Sequence, residues 1–400
     1  MIGASAHSTP ALFDTACRLD ERAFSFVFVG RNRERLEGVG RAVDTIAAGR
    51  GYRARQQRLP MDGLDAALPG ADIVIIQIRT GGYEARDWDE HFPMRYGQCG
   101  DEGLGLGGLA AAWRTWPDLR SILARLVAAE SKALVLLLTS PVGILTRLAL
   151  DEFPQLRLYG ICELPWTTLS ELCGYAGEAA AAYFSYIGVN HVGWLSDVRT
   201  RTRVRLDPAQ VLPLKYVALG EARDCILSER SARPSRAQEL ERIAEGAFRA
   251  YVHGAHGDII AAVRKRATPW YSQALAPLLT ELAGAATGVT FFLTGRNGGY
   301  CSWLDDREVI EMPFRVRSSH LERTVLRSWR REDIRTTFTS FVAYEARAAE
   351  AVRRRDPEQL ATAIRLHPWL HGVTVDAALL RDVLLEAPFE GVRQHAEMIA

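Results

Sequence analysis

The chain has 400 residues, a length that suits two domains or one large domain. Its 49 Lys and Arg residues nearly balance its 48 Asp and Glu residues, so composition gives no support for binding to nucleic acid or to an acidic membrane surface. With 48% hydrophobic and 24% charged residues, and apolar runs far shorter than the ~20 residues of a membrane helix, the chain is expected to be globular and to stay out of the membrane.

Over the first 165 residues or so, short β-rich runs alternate with helical stretches. The apolar runs predict strands over Ala23–Val29, Ala71–Ile78, Ala133–Thr139 and Leu158–Ile161. Helical spacing between them predicts helices over Arg33–Ala48 and Leu119–Ala129. This alternation predicts an α/β fold with a Rossmann-type, doubly wound parallel sheet. Only Met1 and Ile2 precede the first glycine, so either the true start of the chain lies further upstream or the first strand is missing from the sheet.

From about Pro165 onward the pattern becomes mixed and rich in helix. Helices are predicted over Leu169–Phe184, Arg236–Val252 and Ile334–Leu385, the last interrupted at His367–Pro368. Strands are predicted over Thr287–Leu293 and Val309–Phe314, around the glycine-rich turn Gly295–Gly299. We therefore predict a Rossmann-type NAD(P)-binding domain over residues 1–165 and a C-terminal mixed α+β domain, for catalysis, substrate binding and oligomerisation, over residues 166–400.

Six cysteines are scattered along the chain without a CxxC pair. This pattern argues against a disulfide scaffold and favours reduced thiols. The first residues, MIGASAHSTP, lack the basic start and long apolar core of a signal peptide. We therefore expect a cytoplasmic protein.

Ligands of doubly wound sheets bind outside the carboxyl ends of the strands. There, Gly3 and Ser5 lie in a turn before a predicted helix, and the first N–H groups of a helix can hold a pyrophosphate. For this segment taken alone, an ordinary helix-starting loop is the favoured explanation, because only one glycine of GxGxxG is present. After the next strand, where NAD-specific proteins carry an acidic residue, the chain has Gly30 and Arg31. An arginine suits a 2′-phosphate, so NADP(H) stays open beside NAD(H), and a solvated basic turn is the alternative.

Several polar segments follow the predicted strands: Gln77-Ile78-Arg79-Thr80-Gly81-Gly82, Gly100-Asp101-Glu102, Thr139-Ser140-Pro141, Gly160-Ile161-Cys162-Glu163 and Asn190-His191. Each alone has an ordinary structural explanation. Their order and spacing resemble the nicotinamide-dependent family 4 glycoside hydrolases. Later matches extend the resemblance over nearly the whole chain: Lys265-Arg266 with Tyr271-Ser272, Asn297-Gly298, and Leu366-His367-Pro368.

The resemblance implies cleavage of a small-molecule glycoside by an unusual route. Hydride leaves C3 of the sugar for the cofactor, a base removes the C2 proton, and the C1 substituent is eliminated. Water then adds and the hydride returns. A divalent metal, which we expect to be Mn, stabilises the enediolate as a Lewis acid. The family also implies a homo-oligomer, either a dimer or a tetramer.

The resemblance further assigns site residues. Cys162 and His191 occupy the metal-ligand positions, and a small buried thiol and a core histidine are the alternatives. Glu163 is the candidate acid. Tyr216 is the candidate base, although an anchoring tyrosine is the more common role for such a residue, and Tyr271 is a second candidate. The implied cofactor-binding residues are Gly3, Ser5, Thr9, Arg31, Arg79 and Glu102. The implied substrate-binding residues are Arg86, Ser140, Asn190, Arg266 and Asn297.

Five arginines fall in the matching stretches: Arg79, Arg86, Arg114, Arg266 and Arg296. Because guanidinium groups bind carboxylate or phosphate bidentately, they predict a preference for a glycoside with an acidic group. The alternative is that they pair with neighbouring carboxylates.

Two other functions stay open. One is an NAD(P)-dependent sugar or hydroxy-acid dehydrogenase, in which the hydride does not return. The other is a non-catalytic nucleotide- or sugar-binding homologue, which is favoured by Leu137 and Ser140 standing where the family has asparagines.

Overall fold

The computed structural model describes residues 1–20, 24–174, 176–217, 235–265, 269–285, 287–326 and 329–385. Within these residues, one sheet is the parallel pair β1–β2, and a nine-stranded sheet has the order β3-β4-β5-β9-β10-β6-β7-β8, with β11 paired to β10. The strands are β1 Ser25–Gly30, β2 Arg55–Pro60, β3 Ile73–Ile76, β4 Leu134–Leu137, β5 Arg157–Ile161, β6 Tyr183–Val189, β7 Val192–Arg199, β8 Val211–Pro213, β9 Phe291–Arg296, β10 Val309–Arg317 and β11 His320–Arg323.

The helices of the described residues cover both faces of these sheets. They are α1 Thr9–Asp20, α2 Arg33–Arg50, α3 Leu64–Ala67, α4 Gly82–His91, α5 Gly105–Ala128, α6 Val142–Glu152, α7 Leu164–Cys173, α8 Ala176–Ala180, α9 Arg236–His253, α10 His256–Lys265, α11 Ala276–Leu282, α12 Glu332–Arg354, α13 Pro357–Leu366 and α14 Ala377–Val383. A π-helical turn, Trp270–Leu275, precedes α11. Across these ranges, no helix is both long and apolar enough to cross a membrane.

The chain start joins the two sheets. Ile2 forms parallel bridges with Val29 of β1 and Ile76 of β3, and its N–H donates to Ile75 O at 2.7 Å. The resulting order, β2-β1-Ile2-β3-β4-β5, is that of a dinucleotide-binding sheet. The predicted Rossmann-type fold is therefore confirmed, with a single bridged residue in the place of the first strand.

The C-terminal half extends the same large sheet. β5 pairs with β9 in antiparallel fashion through Gly160 opposite Thr294 and Ile161 opposite Leu293. β10 then pairs with β9, and β6 pairs with β10. Because the sheet crosses the boundary between residues 165 and 166, the division into two domains stays a prediction.

One predicted helix is wrong at its C-terminal end. The stretch predicted as a helix over Leu169–Phe184 contains the end of α7 and the whole of α8, and at Tyr183 the chain enters β6. The sequence analysis also missed β7 and β8. The last five residues of β6 and seven consecutive residues of β7 are buried, so these strands lack the alternation that marks a half-exposed strand.

A buried carboxyl group lies where α12 packs on α6. Glu345 is 8% exposed, and a Cβ atom added to Gly143 of α6 would lie 2.2 Å from its Oε1 atom. Burial, with a contribution from Glu311, raises the pKa of Glu345 to about 8, although Arg147 acts in the opposite direction. The close fit at Gly143 allows the carboxyl group to stay in the interior.

We predict that Glu345 makes stability depend on pH. The unfolded carboxyl ionises near pH 4.5 and the folded one at about 8, so unfolding releases a proton in this window and the free energy of unfolding falls as the pH rises from 4.5 to 8. Glu345→Gln, which is neutral and similar in shape, should show a smaller fall. Urea unfolding at several pH values between these limits measures the difference, with the exposed Glu358→Gln as the control. Equal slopes for wild type and Glu345→Gln would contradict the prediction.

Candidate active site at the carboxyl edge of the sheet

A pocket opens where β3 and β4 end. Gln77, Arg79, Arg86, Glu102, Arg114 and Ser140 are among the residues that line it. The structure thus brings together four residues predicted from sequence for cofactor or substrate binding: Arg79, Arg86, Glu102 and Ser140.

Glu102 lies between two arginines of this pocket. Arg79 donates to Glu102 Oε2, and Nη1 of Arg86 lies 2.8 Å from Glu102 Oε1. Arg86 also donates through Nε to Glu90 Oε1 at 2.7 Å. Burial alone would raise the pKa of Glu102, but Arg79, Arg86 and, more weakly, His191 lower it to about 2. The Glu102 carboxylate therefore stays ionised at any physiological pH.

A second ion pair is deeper. Arg114 pairs with Asp89, and Nε of Arg114 donates to Thr80 O at 3.3 Å. Burial raises the pKa of Asp89 to about 7, although Arg114 acts against this shift. The side chains of Arg86 and Arg114 are 13% and 7% exposed, whereas that of Arg79 is 36% exposed. All three arginines have carboxylate partners, and only Arg79 presents much of its surface to solvent.

Cys162 follows the last residue of β5. The backbone N–H of Leu164, the first residue of α7, points at its Sγ atom at 3.4 Å, and Sγ lies 3.9 Å from Oε2 of Glu163. Burial raises the pKa of the Cys162 thiol well above its usual range, Glu163 and Glu311 add to the rise, and the Leu164 N–H and the Asn190 amide oppose it. Asn190 therefore faces Cys162, although 28 positions separate them in the chain.

His191 occupies the tight turn between β6 and β7. Its φ angle of +67° is in the left-handed region, which side chains other than glycine seldom adopt. Its ring lies flat on the ring of Tyr216, with centroids 4.8 Å apart and 10° between the planes. A Cβ atom added to Gly103 would lie 3.2 Å from Nδ1 of His191, so the loop before α5 packs closely against the imidazole ring.

Cys162 and His191 have the side-chain chemistry to bind a divalent cation. The Nδ1 atom of His191 is buried and has no hydrogen-bond partner among the described residues, as expected of a ligand whose partner is a metal. Thiolate and imidazole together suit Mn, Fe, Co or Zn. In the described ranges, no three His, Cys, Asp or Glu side chains are grouped around a common metal position. Within the described ranges, Cys162 and His191 stay the candidate pair of protein ligands, and the pair does not form part of a larger cluster of these residue types.

The loop after Ile2 fits a dinucleotide. Gly3 has a φ angle of +86°, and a Cβ atom added there would lie 1.9 Å from Gln77 O, so only glycine allows the loop to pass the end of β3. The loop includes Ser5 and leads into α1 at Thr9, but the first turn of α1 offers few N–H groups to a pyrophosphate, because Thr9 N donates to Ala6 O and Ala11 N to Ser8 O, both at 3.0 Å, and residue 10 is proline. The structure thus places Gly3, Ser5 and Thr9 in one segment beside the carboxyl ends of β1 and β3, where a doubly wound sheet binds its ligands.

Two models of one protein family match separate parts of the chain. The family 4 glycosyl hydrolase model matches residues 1–177, and the model of the family 4 glycosyl hydrolase C-terminal domain matches residues 207–370. The chain belongs to family 4 of the glycosyl hydrolases. It is therefore a glycoside hydrolase.

Relatives of this family 4 enzyme cover its whole length. A 6-phospho-beta-glucosidase of Thermotoga maritima is 25% identical over 98% of this chain and 99% of the relative. A structure of the T. maritima enzyme with NAD and glucose-6-phosphate matches with a TM-score of 0.83, 22% identity and 98% coverage of each chain.

Two further relatives differ in their named substrates and ligands. A 6-phospho-alpha-glucosidase from gut microorganisms, solved with NAD and Mn²⁺, has a TM-score of 0.79 and 20% identity over 99% of this chain and 97% of that one. An alpha-galacturonidase of Lachnoclostridium phytofermentans is 29% identical over 33% of this chain and 31% of the relative.

The second tyrosine considered as a base has a different environment from Tyr216. Tyr271 of the family 4 enzyme is fully buried, and its hydroxyl donates to Gln77 Oε1 and lies 3.3 Å from Ser8 Oγ. Tyr271 thus connects the π-helical turn to the loop between Ile2 and α1. Tyr216, beside His191, stays the predicted base.

Asn297 and Arg296 lie at the opposite edge of the sheet, so their predicted roles at the substrate are wrong. Because β9 runs antiparallel to β5, its last residue lies near the start of β5, and Arg296 pairs with Asp151 at 2.8 Å near the end of α6. The amide of Asn297 is fully buried and donates to the carbonyls of Cys301, Leu304 and Asp305. It holds the β9–β10 turn and is not available to a sugar. Arg266 lies outside the described residues.

Glu311 of β10 was missed by the sequence analysis. It is fully buried, accepts a hydrogen bond from the Tyr186 hydroxyl at 2.5 Å, and lies near Cys162 and Asn190. Burial raises its pKa to about 8. The available signal was a single acidic residue inside the apolar run VIEMPF of a predicted strand.

We predict that Cys162→Ser weakens the binding of Mn²⁺ by tenfold or more, because a hydroxyl is a far poorer ligand than a thiolate. Isothermal titration of the protein with MnCl₂ under reducing conditions measures the effect without any need for activity. Cys301→Ser, at a buried thiol in the β9–β10 turn, is the matched control and should leave the affinity unchanged. Unchanged Mn²⁺ affinity in Cys162→Ser would remove Cys162 from the site.

Proposed function

We propose that this family 4 glycoside hydrolase cleaves a small glycoside by redox-assisted elimination, with NAD or NADP as cofactor and Mn²⁺ as metal. The observation that carries the proposal is the buried Nδ1 atom of His191, which has no hydrogen-bond partner among the described residues and lies beside Gly103, next to the arginine-paired Glu102. The related structures solved with NAD and with Mn²⁺ support the choice of both groups.

Each group has residues to hold it. The loop from Gly3 to Thr9 would bind the dinucleotide, and Cys162 with His191 would bind the cation. When bound, NAD takes a hydride from the sugar and later returns it, while the cation polarises the sugar oxygen beside the carbon that loses its proton.

Two side chains of this chain are placed to move protons. Tyr216 lies against His191, so its hydroxyl belongs to the metal side of the site and is assigned as the base for the C2 proton. The carboxyl group of Glu163 lies 3.9 Å from Cys162 Sγ and is assigned as the acid for the leaving oxygen. Asn190, next to both metal-binding positions, would orient the sugar.

The route predicts a specific labelling pattern. With an aryl glycoside, NAD and Mn²⁺ in D₂O under reducing conditions, we expect release of the aglycone, deuterium at C2 of the product and no net NADH, because the hydride returns. Tyr216→Phe should slow the appearance of deuterium by about 10²-fold or more, the usual contribution of a general base. Tyr52→Phe, which removes a hydroxyl that donates to Asp14 of α1 at 3.4 Å, is the control and should behave as wild type.

Other outcomes separate the alternatives. One NADH formed per turnover would indicate a dehydrogenase. Binding of ligands without turnover on a panel of glycosides would indicate a non-catalytic homologue. Aglycone release without deuterium at C2 would rule out the elimination.

The substrate is proposed to carry an acidic group. The relatives named above act on 6-phosphosugars or a galacturonide, and Arg79 offers a partly exposed guanidinium at the pocket. We predict that kcat/KM is about tenfold or more higher for a 6-phospho or uronate glycoside than for the neutral sugar, the scale of one charge-assisted hydrogen bond. Matched neutral, 6-phospho, uronate and sulfonate glycosides make the comparison. Should the neutral sugar be preferred, the arginines serve only the ion pairs described above.

A further inference from the structure

The end of β1 differs from that of a usual NAD site in both charge and shape. Gly30 is the last residue of β1, where an acidic side chain would bind the ribose hydroxyls of NAD. The space for such a side chain is already filled, because a Cβ atom at position 30 would lie 2.1 Å from Oγ of Ser5. Ser5 is held there by a hydrogen bond from its hydroxyl to Asn32 O at 3.1 Å.

Arg31 is the next residue and is exposed. Among the described residues it forms no hydrogen bond, ion pair or ring contact, unlike its neighbours. Arg33 pairs with Asp62 at 3.2 Å, and the guanidinium of Arg35 lies over the ring of Phe248 at 5.0 Å. Arg31 therefore carries an unneutralised positive charge next to the position that normally carries a negative one.

The backbone after Arg31 is fixed. The side chain of Asn32 caps α2 by accepting from the backbone N–H of Arg35 at 2.8 Å. Asn32 O also accepts from Ser5, so the loop that would hold the pyrophosphate and the turn that carries Arg31 are tied together. Two carboxylates are near in sequence or space: Asp62 is paired with Arg33, and Glu34 is in the first turn of α2.

We propose that the adenosine ribose site of this enzyme accepts a 2′-phosphate, with Arg31 as the residue that selects it, so that NADP(H) binds at least as tightly as NAD(H). The inference rests on the proposed use of a nicotinamide cofactor and adds the choice between the two dinucleotides. A guanidinium binds a phosphate dianion strongly, whereas a carboxylate at position 30 would repel it. The 2′-hydroxyl of NAD offers Arg31 no comparable charge.

Affinities measured without substrate test the proposal independently of activity. Isothermal titration of the full chain with NADP⁺ and with NAD⁺ should give a dissociation constant for NADP⁺ equal to or lower than that for NAD⁺. Arg31→Ala should raise the dissociation constant of NADP⁺ about tenfold or more and that of NAD⁺ less than twofold. Arg317→Ala, in the exposed β10–β11 hairpin, is the matched control and should change neither. Added salt should narrow the NADP⁺ preference, because Arg31 is exposed.

A reciprocal variant tests the shape of the site. Ser5→Gly combined with Gly30→Asp removes the hydroxyl that fills the space and restores a carboxylate, so it should favour NAD⁺ over NADP⁺. Gly30→Asp alone should bind both dinucleotides less tightly, because its Cβ meets Ser5 Oγ.

The outcomes are distinct. NAD⁺ bound tenfold tighter than NADP⁺ by the wild type, or equal losses of both in Arg31→Ala, would overturn the assignment of Arg31 while leaving the proposed function intact. Binding of neither dinucleotide at millimolar concentration would overturn the assignment and the proposed cofactor together.

Discussion

The antiparallel pairing of β9 with β5 is the constraint on which the site depends. Gly160 in β5 faces Thr294 in β9, Glu311 in β10 faces Thr294, and Gly188 in β6 faces Glu311, so four strands share one row. Gly160 has no substitute in this row, because a Cβ there would lie 2.3 Å from Val142 Cγ1 and 2.6 Å from Thr146 Oγ1 of α6. The row joins the β6–β7 hairpin to a sheet of Rossmann type, and the packing of His191 beside Gly103, in the loop before α5, sets the turn of the hairpin near the candidate site.

The interior beneath this row is unusually polar. Glu311 and Glu345 are both buried, and burial raises the pKa of each to about 8. Glu311 adds to the rise in the pKa of Glu345. A buried ionised carboxylate without a cationic partner is strongly unfavourable, so both groups are held mainly as neutral acids near pH 7. Such groups do not add to stability, and the presence of Glu311 near Cys162 is characteristic of a functional site rather than of an ordinary core.

The parts of the fold that could be predicted are those where local pattern and tertiary role coincide. The strands β3, β4 and β5 are continuous apolar runs because helices cover both of their faces, and the sequence predicted each within a few residues. Whether a strand runs parallel or antiparallel to its neighbour produces no comparable pattern in the sequence. The segment ending at Asn297 was placed at the substrate because its sequence matched a family segment, but β9 runs antiparallel to β5 and carries its turn to the far edge.

For the candidate site, likewise, the place of some residues could be predicted from the sequence, but their contacts could not. Arg79, Arg86 and Glu102 could be placed at the carboxyl edge because they follow or face strands whose direction was predicted correctly. Their mutual pairing could not be predicted, since Glu102 is 23 positions from Arg79 and reaches it only through the packing of α4 and α5. The contact between Cys162 and Asn190 likewise depends on the β6–β7 hairpin, which the sequence analysis missed.

Charge balance in the pocket determines how an anion could bind there. Glu102 is shared by Arg79 and Arg86, and Asp89 pairs with Arg114, so each of the three arginines already has a carboxyl partner in the pocket. An acidic substrate would therefore have to compete with Glu102 for Arg79, the one partly exposed guanidinium of the three. Because a buried arginine left without its carboxylate is costly, Arg86 and Arg114 are held in their ion pairs and shape the pocket. Recognition of an anion at this edge thus depends on a single exchangeable ion pair, Arg79 with Glu102, rather than on the number of arginines in the sequence.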